Sequence, residues 1–93
     1  MKNKVIFLCT GNICRSPIGE ALLKHAIEAR PKTSPVRGLE IVSAGTSAVD
    51  GMPPSANSVS ALVRVGIDIS SYRAESLTQK MLDECYALFA MSR

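Results

Sequence analysis

A cysteine and an arginine six positions apart bound the loop of the stretch Cys9-Thr10-Gly11-Asn12-Ile13-Cys14-Arg15-Ser16-Pro17. A thiol ringed by backbone N–H groups, a helix N-terminus and the Arg15 guanidinium ionises well below its free value of about 8.5. The thiolate is then a nucleophile at neutral pH with no histidine beside it. Arg15 offers a planar fork that holds two phosphate oxygens and follows them as charge moves in the transition state. Gly11 permits close approach of the backbone, and Asn12 tolerates the left-handed conformation of a tight loop. Ser16 can donate its hydroxyl to the thiolate and improve it as a leaving group. Cys9 and Arg15 are thus the candidate catalytic pair. Thr10, Gly11, Asn12, Ile13, Cys14, Arg15 and Ser16 are the candidate phosphate-binding residues. The competing view is that a cysteine ending an apolar strand is a small core residue. Gly, Asn, Arg, Ser and Pro in order at a strand-to-helix turn favour the chemistry. The G-x-x-x-x-G-K-[ST] pattern is absent, so a bound nucleotide is not implied.

The flanking elements must aim this loop. Val5-Ile6-Phe7-Leu8 is an apolar run that reads as a buried strand ending at Cys9. Ser16 is placed as an N-cap and Pro17 in the first turn of a helix running to about Arg30. Ile18, Ala21, Leu22, Ala26 and Ala29 form its inward face, with Glu20 and Lys24 one turn apart outside. Pro31 to Gly38 reads as a connecting loop and Leu39 to Val42 as a short strand. A loop follows from Val49 to Pro54, then a helix from about Pro54 to Val65 with Ala56, Val59, Leu62 and Val63 inward and Gly66 as its stop. Thr78 caps a short helix through Asp83, with Leu77 and Leu82 placed as a hydrophobic staple. Tyr86 to Met91 is a third strand. This order predicts a parallel α/β sheet with right-handed crossovers, and the loop at the C-terminal edge of its first strand.

The 93 residues predict one domain, residues 1–93. The net charge of +3 favours anionic substrates, yet the basic residues are scattered, so neither a nucleic-acid nor a membrane surface is expected. Met1-Lys2-Asn3-Lys4 before an apolar run mimics an export signal, but the run is too short for one, and a cytoplasmic protein is expected. Cys9, Cys14 and Cys85 have no disulfide-framework spacing, and Cys85 is expected in the core. With His25 as the one histidine, read as a half-exposed helix residue, no metal and no cofactor is expected.

The stretch Cys9 to Pro17 followed by Glu20 resembles the signature of the low-molecular-weight protein tyrosine phosphatases. Ser43-Ala44-Gly45-Thr46 and Gly66-Ile67-Asp68 resemble that family's next two landmarks, in its order. The resemblance implies a Rossmann-like, phosphotyrosine phosphatase I-like sheet flanked by helices. It implies a cysteine-dependent phosphomonoester hydrolase acting through a phosphocysteine. Cys9 and Cys14 share one compact loop, where a reversible disulfide is geometrically plausible, and the resemblance supports Cys14 as the redox partner that protects the nucleophile. It suggests Ser43 as a residue holding Asn12, the alternative being a serine that simply ends a strand. Bacterial members tend to carry a histidine before Arg-Ala; this chain has Tyr72-Arg73-Ala74, so any bracing by that histidine is altered here. The family continues into another strand, an Asp-Pro loop and a last helix, and its loop aspartate is the general acid. The sequence holds no Asp-Pro pair. Asp50, Asp68 and Asp83 read as solvated loop or helix-face residues, so impaired catalysis and an unpaired edge on the third strand are expected.

Ile13 beside the nucleophile suits an aromatic ring, which favours phosphotyrosine over protein phosphoarginine. The expected partner is therefore a phosphotyrosine-containing protein or a small phosphomonoester, with inorganic phosphate as product or inhibitor. A homo-oligomer through the exposed sheet edge is a further expectation. The alternatives are a non-catalytic phosphate- or phosphopeptide-binding module, a protein-arginine-phosphatase, and an arsenate reductase-like activity with Cys85 resolving.

Overall fold

Val5, Ile6, Phe7 and Leu8 combine β-branched and aromatic side chains that suit a pleated, buried surface. In the computed structural model, which describes residues 2–91, they form the middle of the central strand β1 (Lys4–Cys9). Met1, Ser92 and Arg93 lie outside the described residues, and with them the first residue of the basic lead and the end of the chain. Strand β2 (Glu40–Gly45) pairs with one side of β1 and strand β3 (Cys85–Ala90) with the other, all parallel, in the order β2-β1-β3. Parallel neighbours require crossovers. Helix α1 (Arg15–Glu28) and a 3-10 turn at Pro35–Gly38 carry the chain from β1 to β2. Helices α2 (Ala56–Val63) and α3 (Gln79–Asp83) lie between β2 and β3. This is the expected Rossmann-like sheet flanked by helices.

The core is centred on β1 and β2. Val5, Ile6, Ile41 and Ala44 are buried there, joined by Leu62, Ile69 and Ala74 from the segments that cross over. The outer strand β3 is much barer: Tyr86 is 67% and Phe89 51% exposed, although the Phe89 ring stacks on Phe7 with centroids 5.5 Å apart. Its far edge has no strand partner among the described residues. Cys85 opens β3 and is half-buried, so it is not the core residue that its apolar context suggested.

Helix α1 departs most from expectation. It starts at Arg15, and its N-cap position is Cys14, with no capping side chain. Ser16 therefore lies inside the first turn and does not cap it; its hydroxyl is engaged elsewhere. Pro17 is accommodated because a first-turn residue has no helical partner for its N–H to lose. The buried residues of α1 are Ser16, Pro17 and Glu20, while Leu22 is 47% exposed and Ala26, Ala29 and His25 are exposed. The inward face of this helix is partly polar, and Glu20, expected outside, points into it. Helix α2 is shorter than expected: Ser55 is its N-cap, Leu62 is buried, Val59 is half-buried, and Ala56 and Val63 are exposed. Its stop matches expectation, with Gly66 at φ +81. Thr78 caps α3 through Oγ1, which accepts from the Met81 N–H at 3.2 Å, while Leu82 is 41% exposed.

Candidate active site

Strand β1 delivers Cys9 to its C-terminal end, and the six residues before Ser16 wrap back around it. Asn12 turns the loop with φ +57, the left-handed region that asparagine enters at low cost. The turn brings the Asn12 N–H to 3.1 Å from Cys9 Sγ, and the Ser16 hydroxyl to 2.8 Å. Burial pushes the thiol's pKa up. Hydrogen bonds from the Ser16 hydroxyl and from the N–H groups of Ser16, Asn12 and Gly11 outweigh it, and the thiol lies below its ordinary value.

The loop presents N–H groups inward because its carbonyls are tied down outside. The Cys9 and Thr10 carbonyls accept from the N–H groups of Thr46 and Ser47, at 3.0 and 2.9 Å. The Ile13 carbonyl accepts from the Ser55 N–H at 2.8 Å, and the Cys14 carbonyl from the Ser58 hydroxyl at 3.0 Å. The turn after β2 and the start of helix α2 thus grip opposite ends of the loop. Gly45 makes the first grip feasible: a Cβ there would lie 2.6 Å from the Thr10 carbonyl oxygen. Ser55 and Ser58 went unnoticed in the sequence, where they look like ordinary helix-start polarity.

Behind the loop runs a buried polar chain. Asn12 is 0% exposed, and its Nδ2 donates to Ser16 Oγ at 2.8 Å and Ser43 Oγ at 3.0 Å. Asn12 Oδ1 accepts from the Tyr72 hydroxyl at 2.7 Å and from the Glu75 N–H at 2.8 Å. Ser43 in turn donates to Glu20 Oε1 at 2.7 Å and touches the Tyr72 hydroxyl. Lys24 closes the chain on Glu20 Oε2 at 2.6 Å. Glu20, Lys24 and Tyr72 were not singled out by the sequence as site residues. The helical spacing of Glu20 and Lys24 reads as a surface ion pair, and only the fold shows that Glu20 faces Ser43. No buried polar side chain among the described residues is left without a partner.

The loop floors a depression of about 280 Å³ lined by Cys9, Thr10, Gly11, Ile13, Cys14 and Arg15, with Met91 beside them. Every predicted loop residue except Asn12 and Ser16 lines it; those two lie beneath, fully buried. A wider cleft of about 630 Å³ lies between α1 and the outer edge of β2 and is lined by no cysteine. No carboxylate among the described residues lines the depression. Asp50 Oδ1 accepts from the Ser76 N–H, Asp68 Oδ1 from the Ser70 N–H, and Asp83 Oδ1 from the Gln79 side chain. Cys85 pairs with Lys4 at the opposite end of β1 from Cys9. Five residue-to-residue steps of strand separate those ends, roughly 16 Å, which removes Cys85 as a resolving thiol for this loop. No group of three potential metal ligands occurs among the described residues.

Comparison with known proteins agrees with this geometry. The chain is 34% identical over 91 residues to "Probable low molecular weight protein-tyrosine-phosphatase EpsP" of Ralstonia solanacearum, covering 98% of this chain and 57% of that protein. It is also 34% identical to "Protein-arginine-phosphatase" of Geobacillus stearothermophilus, covering 99% of this chain and 56% of the relative. The crystal structure of the low molecular weight protein tyrosine phosphatase from T. tengcongensis superposes with a TM-score of 0.81 at 38% identity, over 95% of this chain and 57% of that one. The chain thus spans a little over half the length of the relatives it matches. The family model for low molecular weight phosphotyrosine protein phosphatases matches residues 4–93, which includes the thiol loop, the β2 landmark and the strand beyond α3. With fold, loop and sequence in agreement, the chain belongs to the low molecular weight phosphotyrosine protein phosphatase family.

Proposed function

We propose that this protein hydrolyses phosphomonoesters through a phosphocysteine, with protein phosphotyrosine as its substrate class. The observation that carries this is the Cys9 thiol, lowered in pKa by the Ser16 hydroxyl and loop N–H groups at the floor of an open depression. The Cys9 thiolate attacks phosphorus as the P–O bond to the leaving oxygen breaks, and that oxygen departs with the bonding pair. Arg15 holds two of the remaining oxygens, and the inward N–H groups stabilise the charge on the transferring phosphoryl group. Water then attacks the phosphocysteine, releasing inorganic phosphate and restoring the Cys9 thiolate. Ile13 in the lining supplies an apolar contact for an aromatic ring.

The same reading makes residues 1–93 the N-terminal part of the family's domain, with a phosphoprotein as partner. Inorganic phosphate is product and competitive inhibitor, and the setting is cytoplasmic. Among the described residues no helix is long and apolar enough to cross a membrane. Exposed Tyr86 and Phe89 support pairing of a second copy along β3. Cys14, exposed in the same loop, serves as redox partner. Peroxide converts the Cys9 thiolate to a sulfenic acid, and Cys14 displaces its oxygen as water to give a disulfide.

A single-turnover reaction with a phosphotyrosine peptide should place one phosphoryl group on Cys9, detected by mass spectrometry, and Cys9→Ser should show no turnover. An unmodified Cys9 with peptide bound would favour the non-catalytic binding module instead. The Geobacillus relative's name favours a second reading, protein phosphoarginine, and competition between the two phosphopeptides at equal concentration separates them.

A further inference from the structure

A trans peptide plane carries its C=O and its N–H on opposite sides, so whatever holds the carbonyl also aims the next residue's N–H. No peptide bond among the described residues is cis. The Thr10 carbonyl illustrates the rule. It is drawn outward by the Ser47 N–H at 2.9 Å, and the Gly11 N–H on the same plane turns inward to Cys9. The Cys14 carbonyl is held at 3.0 Å by the hydroxyl of Ser58, 44 positions away on helix α2. Cys14 and Arg15 both line the depression. We infer that Ser58 is a positioning residue for anion binding: by holding the Cys14 carbonyl, its hydroxyl aims the Arg15 N–H at the oxygens of a phosphoryl group bound over Cys9.

The contact is directional. Ser58 is 3% exposed, which leaves little room for water to replace its hydroxyl as donor. A carbonyl has no proton to give, so the one hydroxyl proton of Ser58 goes to Cys14. The Ser55 hydroxyl, 2.8 Å away, then donates to Ser58 Oγ and accepts in turn from the Ser58 N–H at 3.2 Å. Helix α1 has no such device of its own. Cys14 sits at its N-cap position with φ −116 and ψ −84, and no side chain caps it. An N-cap residue ordinarily lies in the extended region. The backbone between Cys14 and Arg15 is therefore supported from α2. The N–H groups that act on the thiol, those of Gly11, Asn12 and Ser16, lie on other peptide planes.

The role rests on the proposed phosphoryl chemistry, and two readouts on the 93-residue chain keep the two apart. Inorganic phosphate is titrated by amide proton–nitrogen spectra. The Cys9 midpoint is read from iodoacetamide alkylation against pH, with fragment mass spectra separating Cys9 from Cys14. Ser58→Ala should weaken phosphate about three- to tenfold, the scale of one hydrogen bond, and lower kcat/KM on p-nitrophenyl phosphate by at least as much. The Cys9 midpoint should stay at its wild-type value, whereas a loop loosened as a whole would move both. Ser16→Ala, which removes a donor to the thiol, should raise the midpoint and is the control for that readout. Ser58→Thr, which keeps the hydroxyl, should bind phosphate as the wild type does. Saturating phosphate should move the wild-type Arg15 amide proton downfield, and by less in Ser58→Ala. A folded Ser58→Ala variant with unchanged phosphate affinity, or with a thiol midpoint that shifts alongside it, overturns the inference and leaves the proposed function standing. A wild type that binds no phosphate overturns the proposed function itself. If Ser58→Ala loses its fold, the wild-type spectrum and Ser58→Thr decide. A downfield Arg15 amide with wild-type affinity in Ser58→Thr upholds the role; an Arg15 amide unmoved by phosphate, or weakened binding in Ser58→Thr, overturns it.

Discussion

In the proposed mechanism Cys9 and Arg15 act on the phosphoryl group in different ways, and substitution should separate them. Cys9→Ser leaves the N–H groups and the guanidinium in place, so phosphate or vanadate binding should survive within a few-fold while turnover vanishes. Arg15→Lys swaps a planar fork for a point charge and should weaken both. Isothermal titration with vanadate and a phosphatase assay read the two effects. The lowered pKa of the Cys9 thiol also carries a sign for stability. A group depressed in the folded state stabilises it above the unfolded pKa and loses that contribution as pH falls through the folded value. The Tm difference between the wild type and Cys9→Ala should therefore move in the wild type's favour as pH rises from the lowered thiol value up to the ordinary thiol range, and level off above it. A difference that shrinks over that interval would contradict the thiolate's stabilisation. The residue types of this loop were legible because each is a local choice: a thiol, a fork, a left-handed asparagine. Its bracing was legible only through the resemblance, which pointed to Ser43 and to position 72; these contacts span 31 and 60 positions and leave no local pattern.

At the scale of elements, the sequence reading placed the three strands but misjudged which faces of the helices are buried. Periodic apolar runs marked the three strands to within a few residues, because burying β-branched and aromatic side chains is what builds them. Helix α1 was read as an amphipathic surface helix with Glu20 outside, yet Glu20 is 8% exposed and hydrogen-bonded to Ser43. A buried carboxylate with two partners looks identical, in sequence, to a solvated one at helical spacing. The junction of β2 with the loop was legible only as a landmark by resemblance; its physical reason is the space at Gly45. A Cβ there would meet the Thr10 carbonyl oxygen at 2.6 Å and the Ala48 methyl at 2.8 Å, neither of which is the end of a flexible side chain. Gly45→Ala should cost about 1–3 kcal/mol in urea unfolding and displace the loop, with kcat falling more than stability alone explains. A neutral Gly45→Ala would show that β2 and the loop can separate without loss.

At the scale of the whole molecule, the proposed mechanism separates the machinery acting on the phosphoryl group from that acting on the leaving oxygen. Residues 2–91 contain what the first would need: the candidate nucleophile Cys9, Arg15 in the lining of its depression, and a braced ring of N–H groups. They place no carboxylate in that depression, and the side chains of all three aspartates accept hydrogen bonds from groups outside the loop. A phosphotyrosine ester expels a phenoxide whose conjugate acid has a pKa of about 10, so protonation of that oxygen matters. General acid catalysis typically contributes a factor of about 10² to 10⁴. p-Nitrophenyl phosphate has a leaving group that needs little protonation. The 93-residue chain should therefore hydrolyse p-nitrophenyl phosphate slowly and a phosphotyrosine peptide more slowly still, with a rate ratio far larger than in a relative carrying the Asp-Pro loop. The phosphocysteine should accumulate with both substrates, since water attacks it unaided. Rapid quench with mass spectrometry measures the intermediate, and steady-state assays give the ratio. Asp50 supplies the internal control: its Oδ1 accepts from the Ser76 N–H. Asp50→Asn should leave the ratio unchanged, because an amide oxygen can accept the same bond. Phosphotyrosine turnover on the order of 10 s⁻¹, the rate of a typical enzyme, abolished by Asp50→Asn, would make Asp50 the acid and overturn the separation argued here.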